Sequence, residues 1–223
     1  TLQSEDRELV ELAAVIGRET PLLLLARAAG SHRRDARKRI DRAAALGILA
    51  PLAADRDRLE FPHELVREAV YANLSLVRRA TLHGAVARAL ETLHAGSAEP
   101  PWTVLAHHHG ESDATDGAVR AGACAEAAAR RALALLAFED AANQFGAALH
   151  WLEFGPPIAA AREAELLLEL GRAHLRAGNP DRAAIDLAHA SLVARAGDAV
   201  EPLARATVEL AAIQPGISGA PLV

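Results

Sequence analysis

The sequence predicts an all-α fold that carries one short β-hairpin near its N-terminus and continues as a solenoid of stacked helical hairpins. Alanine, the best helix former and a poor strand former, occupies 54 of the 223 positions. Apolar residues recur at helical spacing along most of the chain, and glycines and prolines separate the periodic segments. Aromatic residues make up only 3%, and a single cysteine excludes an intrachain disulfide. The composition therefore disfavours an all-β fold, and no intrachain disulfide can hold the fold.

Residues 1–62 predict a domain of three helices followed by a two-stranded ribbon. The helices are expected at residues 5–16, 22–29 and 32–46, and the strands at residues 48–52 and 59–61. Ser31 is the expected N-cap of the third helix, and Gly47 can end it. The polar segment 53–58 is expected to form the turn between the strands. This order is the winged-helix arrangement.

The remainder of the chain reads as helical. Residues 63–96 carry two amphipathic stripes and predict a connecting helical pair. Glycine, serine and two prolines in residues 96–101 predict a domain boundary or hinge. Residues 97–212 predict a series of alanine-rich hairpins, and residues 213–223, with two prolines and two glycines, predict a tail.

An internal repeat gives these hairpins a tetratricopeptide-like spacing. The clearer copy has small and large residues at the expected places: Leu167, Leu170, Gly171, His174, Gly178, Asn179, Ala183, Leu187 and Ala190. An earlier copy has its equivalents at Ala129, Ala141, Phe145 and Ala148. In such repeats the small residues lie where two helices approach closely, and stacked hairpins leave a concave surface for a protein or a ligand. A chance match of small residues in an alanine-rich helical protein is the alternative.

The sequence contains no recognisable catalytic motif. The only lysine, Lys38, lies among arginines, so the phosphate-binding loop that ends in Gly-Lys is absent. The motifs His-Glu-x-x-His, Gly-x-Ser-x-Gly and Cys-x-x-Cys are absent as well. We therefore expect a chain that is not an enzyme, and an enzyme with an unrecognised site ranks last. Because the chain begins at Thr1 and contains no methionine, we expect it to be a segment of a longer protein.

Three consecutive histidines, His107, His108 and His109, raise the question of a metal site. Consecutive helical residues point about 100° apart, so all three cannot share one face. His107 and Glu111 do share a face, but two ligands do not make a site. We therefore predict no metal site and no cofactor in this chain. The histidines at apolar helix positions are expected to be hydrogen-bonded packing residues: His63, His83 and His174.

Several segments, in this order, resemble the region that follows the ATPase core in large bacterial signal-transduction ATPases. This family includes the large ATP-binding regulators of the LuxR family and the ATPase-linked adenylate or guanylate cyclases. The segments are residues 9–18, 61–71 (Phe-Pro-His-Glu-Leu-Val-Arg-Glu-Ala-Val-Tyr), 78–83, 86–91, 105–108 and 132–141. The resemblance covers residues 2–212. It departs from the family at Pro62, where an arginine is common, and in its strongly basic third helix.

The resemblance implies a regulatory segment of a cytoplasmic, ATP-dependent transcriptional regulator or cyclase. In the family the ATPase lies before this region, and an output domain, often a DNA-binding one, lies at the far end. The implied partners are the ATPase domain of the same polypeptide and a protein or small-molecule inducer at the helical repeats. ATP is expected in the intact protein and no membrane is implied.

The basic third helix is the first candidate binding surface. Residues 31–42 carry six basic and two acidic side chains, a local charge of +4. The candidate contacts for DNA or for a protein partner are Arg33, Arg34, Arg37, Lys38 and Arg42. DNA binding by this helix, with a helical dimerisation domain behind it, is the alternative function. A solvated face, or docking on an acidic patch, is the other interpretation.

A second set of candidates follows from the resemblance. His63 occupies a place where related signalling ATPases contact the bound nucleotide, and Arg67, Arg78 and Arg79 are candidates to contact a nucleotide or the ATPase. Ordinary pairing with Glu64 or Glu68 along the helix is the alternative.

Overall fold

This computed structural model describes residues 4–213, and within this range the chain forms eleven helices and one small sheet. The chain divides into two compact units, Thr1–Gly117 (the N-terminal unit) and Ala118–Val223 (the C-terminal unit). The predicted tail lies outside the described residues, apart from residue 213. No helix in the described part is long and apolar enough to cross a membrane.

The N-terminal unit contains six helices and three short strands. Its elements are α1 Ser4–Ile16, β1 Glu19–Pro21, α2 Leu22–Ala28, α3 Arg33–Ala45, β2 Ala50–Leu52, β3 Asp55–Glu60, α4 Glu64–Ala72, α5 Leu76–Leu93 and α6 Trp102–Gly110. The strands form an antiparallel sheet in the order β1-β3-β2. Thr20 pairs with Leu59, and Ala50 pairs with Glu60. The core lies between this sheet and the first three helices, where Leu9, Leu25 and Phe61 are fully buried.

The wing differs from the sequence prediction in two ways. Strand β1 was not predicted, because three residues are too few to show an alternating pattern. Strand β3 begins at Asp55 instead of residue 59, so the predicted six-residue turn contracts to two residues. Both faces of Asp55–Arg58 are exposed, so no apolar alternation marks this part of the strand.

The start of α3 also differs from the prediction. His32 occupies the N-cap position, and its side chain makes no capping hydrogen bond. Ser31 instead donates its hydroxyl to the carbonyl of Ala26 at the end of α2. The prediction of Ser31 as N-cap was therefore wrong by one position. The prediction of Gly47 as the end of α3 agrees with its positive φ of 70°.

The C-terminal unit consists of two helical hairpins and a further helix. Its elements are α7 Gly117–Ala134, α8 Phe138–Glu153, α9 Ala160–Arg176, α10 Pro180–Ala196 and α11 Val200–Ile213. One buried cluster joins the two hairpins around Phe145 and Leu170, and a second joins α9, α10 and α11 around Leu187.

Small residues allow α9 and α10 to pack closely. A Cβ atom added to Gly171 would lie 2.9 Å from Cγ of Leu187 and 3.3 Å from the carbonyl oxygen of Ala183. Ala183 and Ala190 are fully buried on the facing side of α10. The high alanine content therefore serves close helix contact in this hairpin, in addition to helix propensity.

Candidate functional site

Three of the five basic candidates on α3 already bind groups of the N-terminal unit. Arg33 forms an ion pair with Asp57 on β3, and Arg37 donates to the carbonyl of Arg56 over 2.8 Å. Both contacts link α3 to the wing at exposed positions. Both guanidinium groups therefore have a partner within the unit, although the Arg33 side chain remains 54% exposed.

Arg42 pairs with a buried carboxylate. Asp6 on α1 is only 2% exposed and accepts two hydrogen bonds from Arg42, at 2.8 and 2.5 Å. The hydrogen bonds from Arg42 lower the pKa of Asp6 against the opposing effect of burial, and Arg39 contributes in the same direction. Arg42 thus joins α3 to α1, which its place in the predicted basic stripe does not reveal.

Arg34 and Lys38 are the exposed remainder of the predicted basic surface. They are one helical turn apart, and neither forms a hydrogen bond or an ion pair with a described residue. The acidic side chains of Asp35 and Asp41 on the same helix are also exposed. The free basic surface of α3 is therefore two side chains, smaller than the five-residue surface considered from sequence.

The second set of candidates mainly holds α4 and α5 in place. Arg67 donates to Glu64 at 2.6 Å and to the carbonyl of Ala14 at 3.4 Å. Arg78 donates to Glu11 at 2.9 Å and to Glu8 at 3.2 Å, both on α1. The i,i+3 pairing of Arg67 with Glu64 matches the ordinary alternative considered from sequence.

Arg79 and His63 complete this set. Arg79 donates to the carbonyls of Tyr71 and Ala72, each at 3.1 Å, and its guanidinium lies 4.6 Å from the centre of the Tyr71 ring. His63 is exposed at the N-cap of α4, so the prediction of a packing role for it was wrong. Of the four candidates, His63 is the one that presents its side chain outward.

An apolar groove lies beside α4 in the N-terminal unit. Its volume is about 580 Å³, and its walls include Val10, Ile48, Leu65, Val66 and Val70. None of the nine residues of α4, all of which the structure describes, is buried. Leu65 is 77% exposed. This helix therefore presents apolar side chains that its own unit does not cover.

A cluster of three histidines lies elsewhere in the same unit. His83 of α5 meets His107 and His108 of α6, and one ring nitrogen from each lies within 4.8 Å of the others. The Nδ1 atoms of His83 and His108 are 2.9 Å apart, and Nε2 of His83 is 3.2 Å from the hydroxyl of Tyr71. His83 and His108 are buried, whereas His107 is exposed. Any ion bound by these rings would be bound through nitrogen.

Burial governs the charge of this cluster. It lowers the pKa of His83 to about 4 and that of His108 to about 3, and the neighbouring histidines act in the same direction. Both imidazoles are therefore neutral at pH 7. Sequence reasoning expected a packing role for His83 but missed the cluster, because residues 83 and 107 lie on different helices and no local spacing connects them.

The C-terminal unit has a groove of its own, formed by α8, α9 and α10. Its volume is about 520 Å³, with apolar walls from Leu149, Leu152 and Leu167 and polar groups from Glu163 and His189. The shape and mixed polarity suit a short peptide or a small organic molecule.

Comparisons with known proteins add no further constraint to these sites. Neither protein-family models, nor curated proteins, nor solved structures gave a match to this chain. The sites therefore rest on their geometry.

Proposed function

We propose that this chain is a non-catalytic regulatory segment of a larger cytoplasmic, ATP-dependent bacterial regulator or cyclase. Residues 1–62 correspond to the winged-helix-like domain of such a protein, residues 63–96 to a connecting helical pair, and residues 97–212 to its tetratricopeptide-like repeats. The element order α1-β1-α2-α3-β2-β3 and the strand order β1-β3-β2 support the first assignment. The close α9–α10 contact at Gly171 supports the third.

The observation that carries the proposal is the uncovered apolar face of α4. Exposed apolar surface of this kind is typical of a site for a protein partner. Leu65 extends from α4 beside a groove that is lined mostly by aliphatic side chains, and Arg7 and Glu11 lie at the same groove. An apolar centre with a few charged neighbours is the usual composition of a protein–protein interface. The ATPase domain of the same polypeptide is the partner we assign to this face.

The groove of the C-terminal unit supplies the second half of the mechanism. An inducer or a partner bound between α8, α9 and α10 would favour one arrangement of the repeats, and that preference would be passed to the ATPase as a shift in its conformational equilibrium. The repeats would carry no chemistry of their own.

The test begins with the gene, where the coding sequence before this segment should encode a phosphate-binding loop. The ATPase domain so identified is then mixed with this chain, and the dissociation constant is measured by calorimetry. Leu65→Glu should weaken binding by about tenfold or more, a loss of at least about 1.4 kcal/mol. The matched control is Leu192→Glu, which changes a leucine on α10 that is 67% exposed. The proposal is wrong if no such loop exists or if the wild-type chain does not bind the domain. Equal weakening by both variants would show that the α4 face is not part of the interface.

DNA binding by α3 is the second candidate, and the exposure of Arg34 and Lys38 is the observation in its favour. Binding of duplex DNA to the chain is measured by fluorescence anisotropy over a salt series. A DNA-binding helix should lose affinity steeply with salt, and the double variant Arg34→Ala/Lys38→Ala should reduce the slope by about two. Absence of binding at low salt eliminates this candidate.

A further inference from the structure

We propose that His83, His107 and His108 form a binding site for a divalent transition-metal ion of the zinc type. The site lies entirely in the N-terminal unit, between α5 and α6. Its three ligands lie outside α4, although Tyr71 of α4 contacts His83, and the site is separate from the C-terminal groove.

The spacing of the three rings suits one ion. Two imidazole nitrogens bound to a tetrahedral Zn²⁺ at about 2.0–2.1 Å are separated by about 3.4 Å. The Nδ1 atoms of His83 and His108 are 2.9 Å apart, so they would have to separate by only about half an ångström. The ring of His107 is centred 5.2 Å from each of the other two rings. A ring nitrogen of the exposed His107 lies within 4.8 Å of the other two ligand atoms, so this side chain is the one that would move toward the ion.

A second layer of contacts orients the buried ligand. A metal-binding histidine usually donates its other ring N–H to an oxygen, which fixes the nitrogen that carries the lone pair. The hydroxyl of Tyr71 lies 3.2 Å from Nε2 of His83 and can accept that proton. Nδ1 of His83 is then the unprotonated nitrogen that faces His108. Arg79, which lies over the Tyr71 ring and bonds the adjacent carbonyls, holds this tyrosine in place.

The surroundings provide access and a buried acceptor oxygen. A cavity of about 580 Å³ is lined by the three histidines together with Glu64, Arg67 and Tyr71. An ion can enter past the exposed His107, and water can occupy the remaining coordination position. Oε2 of Glu64 is buried and has no hydrogen-bond partner among the described residues. The single negative charge of Glu64 is already paired with Arg67 through Oε1, so Glu64 offers an acceptor oxygen in the same cavity and no net compensating charge.

The donor set determines the class of ion. Three imidazole nitrogens suit Zn²⁺, Co²⁺ and Ni²⁺, whereas Mg²⁺ and Ca²⁺ require oxygen ligands. The sequence prediction of no metal site considered the ligands of one helix. The structure adds a ligand from a second helix: His107 and His108 are consecutive on α6, and His83 comes from the facing helix α5.

The test is a zinc titration of the full chain, purified without a histidine tag, in competition with a chromophoric chelator. We expect one Zn²⁺ per chain that Mg²⁺ does not displace. His107→Ala should weaken binding by about tenfold or more, and because His107 is exposed the variant should remain folded. Tyr71→Phe should weaken binding to a smaller extent, through loss of the oriented N–H. His32→Ala, which removes an exposed histidine outside the cluster, is the matched control and should bind as the wild type does.

A spectroscopic measurement separates this site from nonspecific binding by the ten histidines of the chain. One equivalent of Co²⁺ should produce visible d–d bands in the wild type and in His32→Ala, and these bands should be lost in His107→Ala. The proposal is overturned if no zinc binds, or if His107→Ala and His32→Ala bind zinc with the same affinity as the wild type. A hydrogen-bonded packing pair of His83 and His108 would give that result.

Discussion

Acidification from pH 7 to pH 5 should destabilise the N-terminal unit, because two of its buried histidines, His83 and His108, resist protonation. The pKa of His83 is lowered to about 4 and that of His108 to about 3, chiefly by burial. In the unfolded chain both histidines titrate near 6.5. Between pH 6.5 and pH 4 the unfolded state therefore binds two protons that the folded state does not bind, and stability falls as the pH falls.

The size of the effect follows from these pKa values. Each histidine, if its shift is fully expressed, contributes a loss of about 1.9 kcal/mol between pH 7 and pH 5, or about 4 kcal/mol for the pair. Because both rings line a cavity that is open to solvent, we expect their charges to be screened and the loss to be about half of this, about 2 kcal/mol. His108→Leu removes one of the two proton-binding groups. The loss in that variant should be about 1 kcal/mol.

The assay is urea unfolding at both pH values, followed by tryptophan fluorescence. The chain has two tryptophans, one in each unit, so a Trp151→Phe background leaves Trp102 of α6 to report on the N-terminal unit alone. The exposed His32 provides the control, since His32→Ala should show the same loss as the parent. The reasoning is refuted if the parent is equally stable at both pH values, or if His108→Leu retains the full loss.

Two further predictions concern packing and a buried charge. Gly171→Ala should destabilise the C-terminal unit by about 1–3 kcal/mol, since the new methyl group would lie against Leu187. Gly146→Ala is the control: its added methyl group would meet no neighbouring atom of the described residues within 4 Å, so it should be neutral or stabilise α8 by up to about 1 kcal/mol. Thermal unfolding of both variants checks this, and equal melting temperatures would contradict it. Asp6→Asn should destabilise the N-terminal unit at pH 7, because it removes the buried partner of Arg42. Because the pKa of Asp6 is lowered, its contribution to stability is present above about pH 4 and is lost as the pH falls through that lowered pKa. The stabilities of the variant and the wild type should therefore converge in strong acid. A difference that stays constant with pH would count against the pairing.

The sequence predicted the helices well because their apolar periodicity and glycine ends are local signals. Positions such as Ala183 and Ala190 were also predictable, since small residues at fixed spacing within one hairpin fall at its closest contacts. Strand β1 was missed because three residues carry no period. The sheet that includes it depends on pairing with β3, about 40 residues later.

The candidate sites were harder to predict for the same physical reason. The charge pattern of α3 is visible in sequence, but the buried partner of Arg42 is on α1, 36 residues away. The prediction from the sequence of α3 alone therefore counted more unpaired basic side chains than this helix has. For the histidine cluster, sequence reasoning erred in the opposite direction and predicted too few ligands. The rotation between consecutive residues limits what a single helix can bind, but two facing helices can bring their ligands together.

The proposed metal site and the proposed docking face share one helix, which makes them testable against each other. Tyr71 belongs to α4, and its hydroxyl contacts His83 of the cluster. If a bound ion shifts His83, it shifts the hydrogen bond that anchors α4, and α4 carries Leu65 at the partner face. Linkage then requires that the ion changes partner affinity by the same factor by which the partner changes ion affinity. Partner affinity measured with and without Zn²⁺ should therefore differ in the wild type and be equal in His107→Ala, whereas an effect of zinc that persists in His107→Ala would show that the ion acts elsewhere.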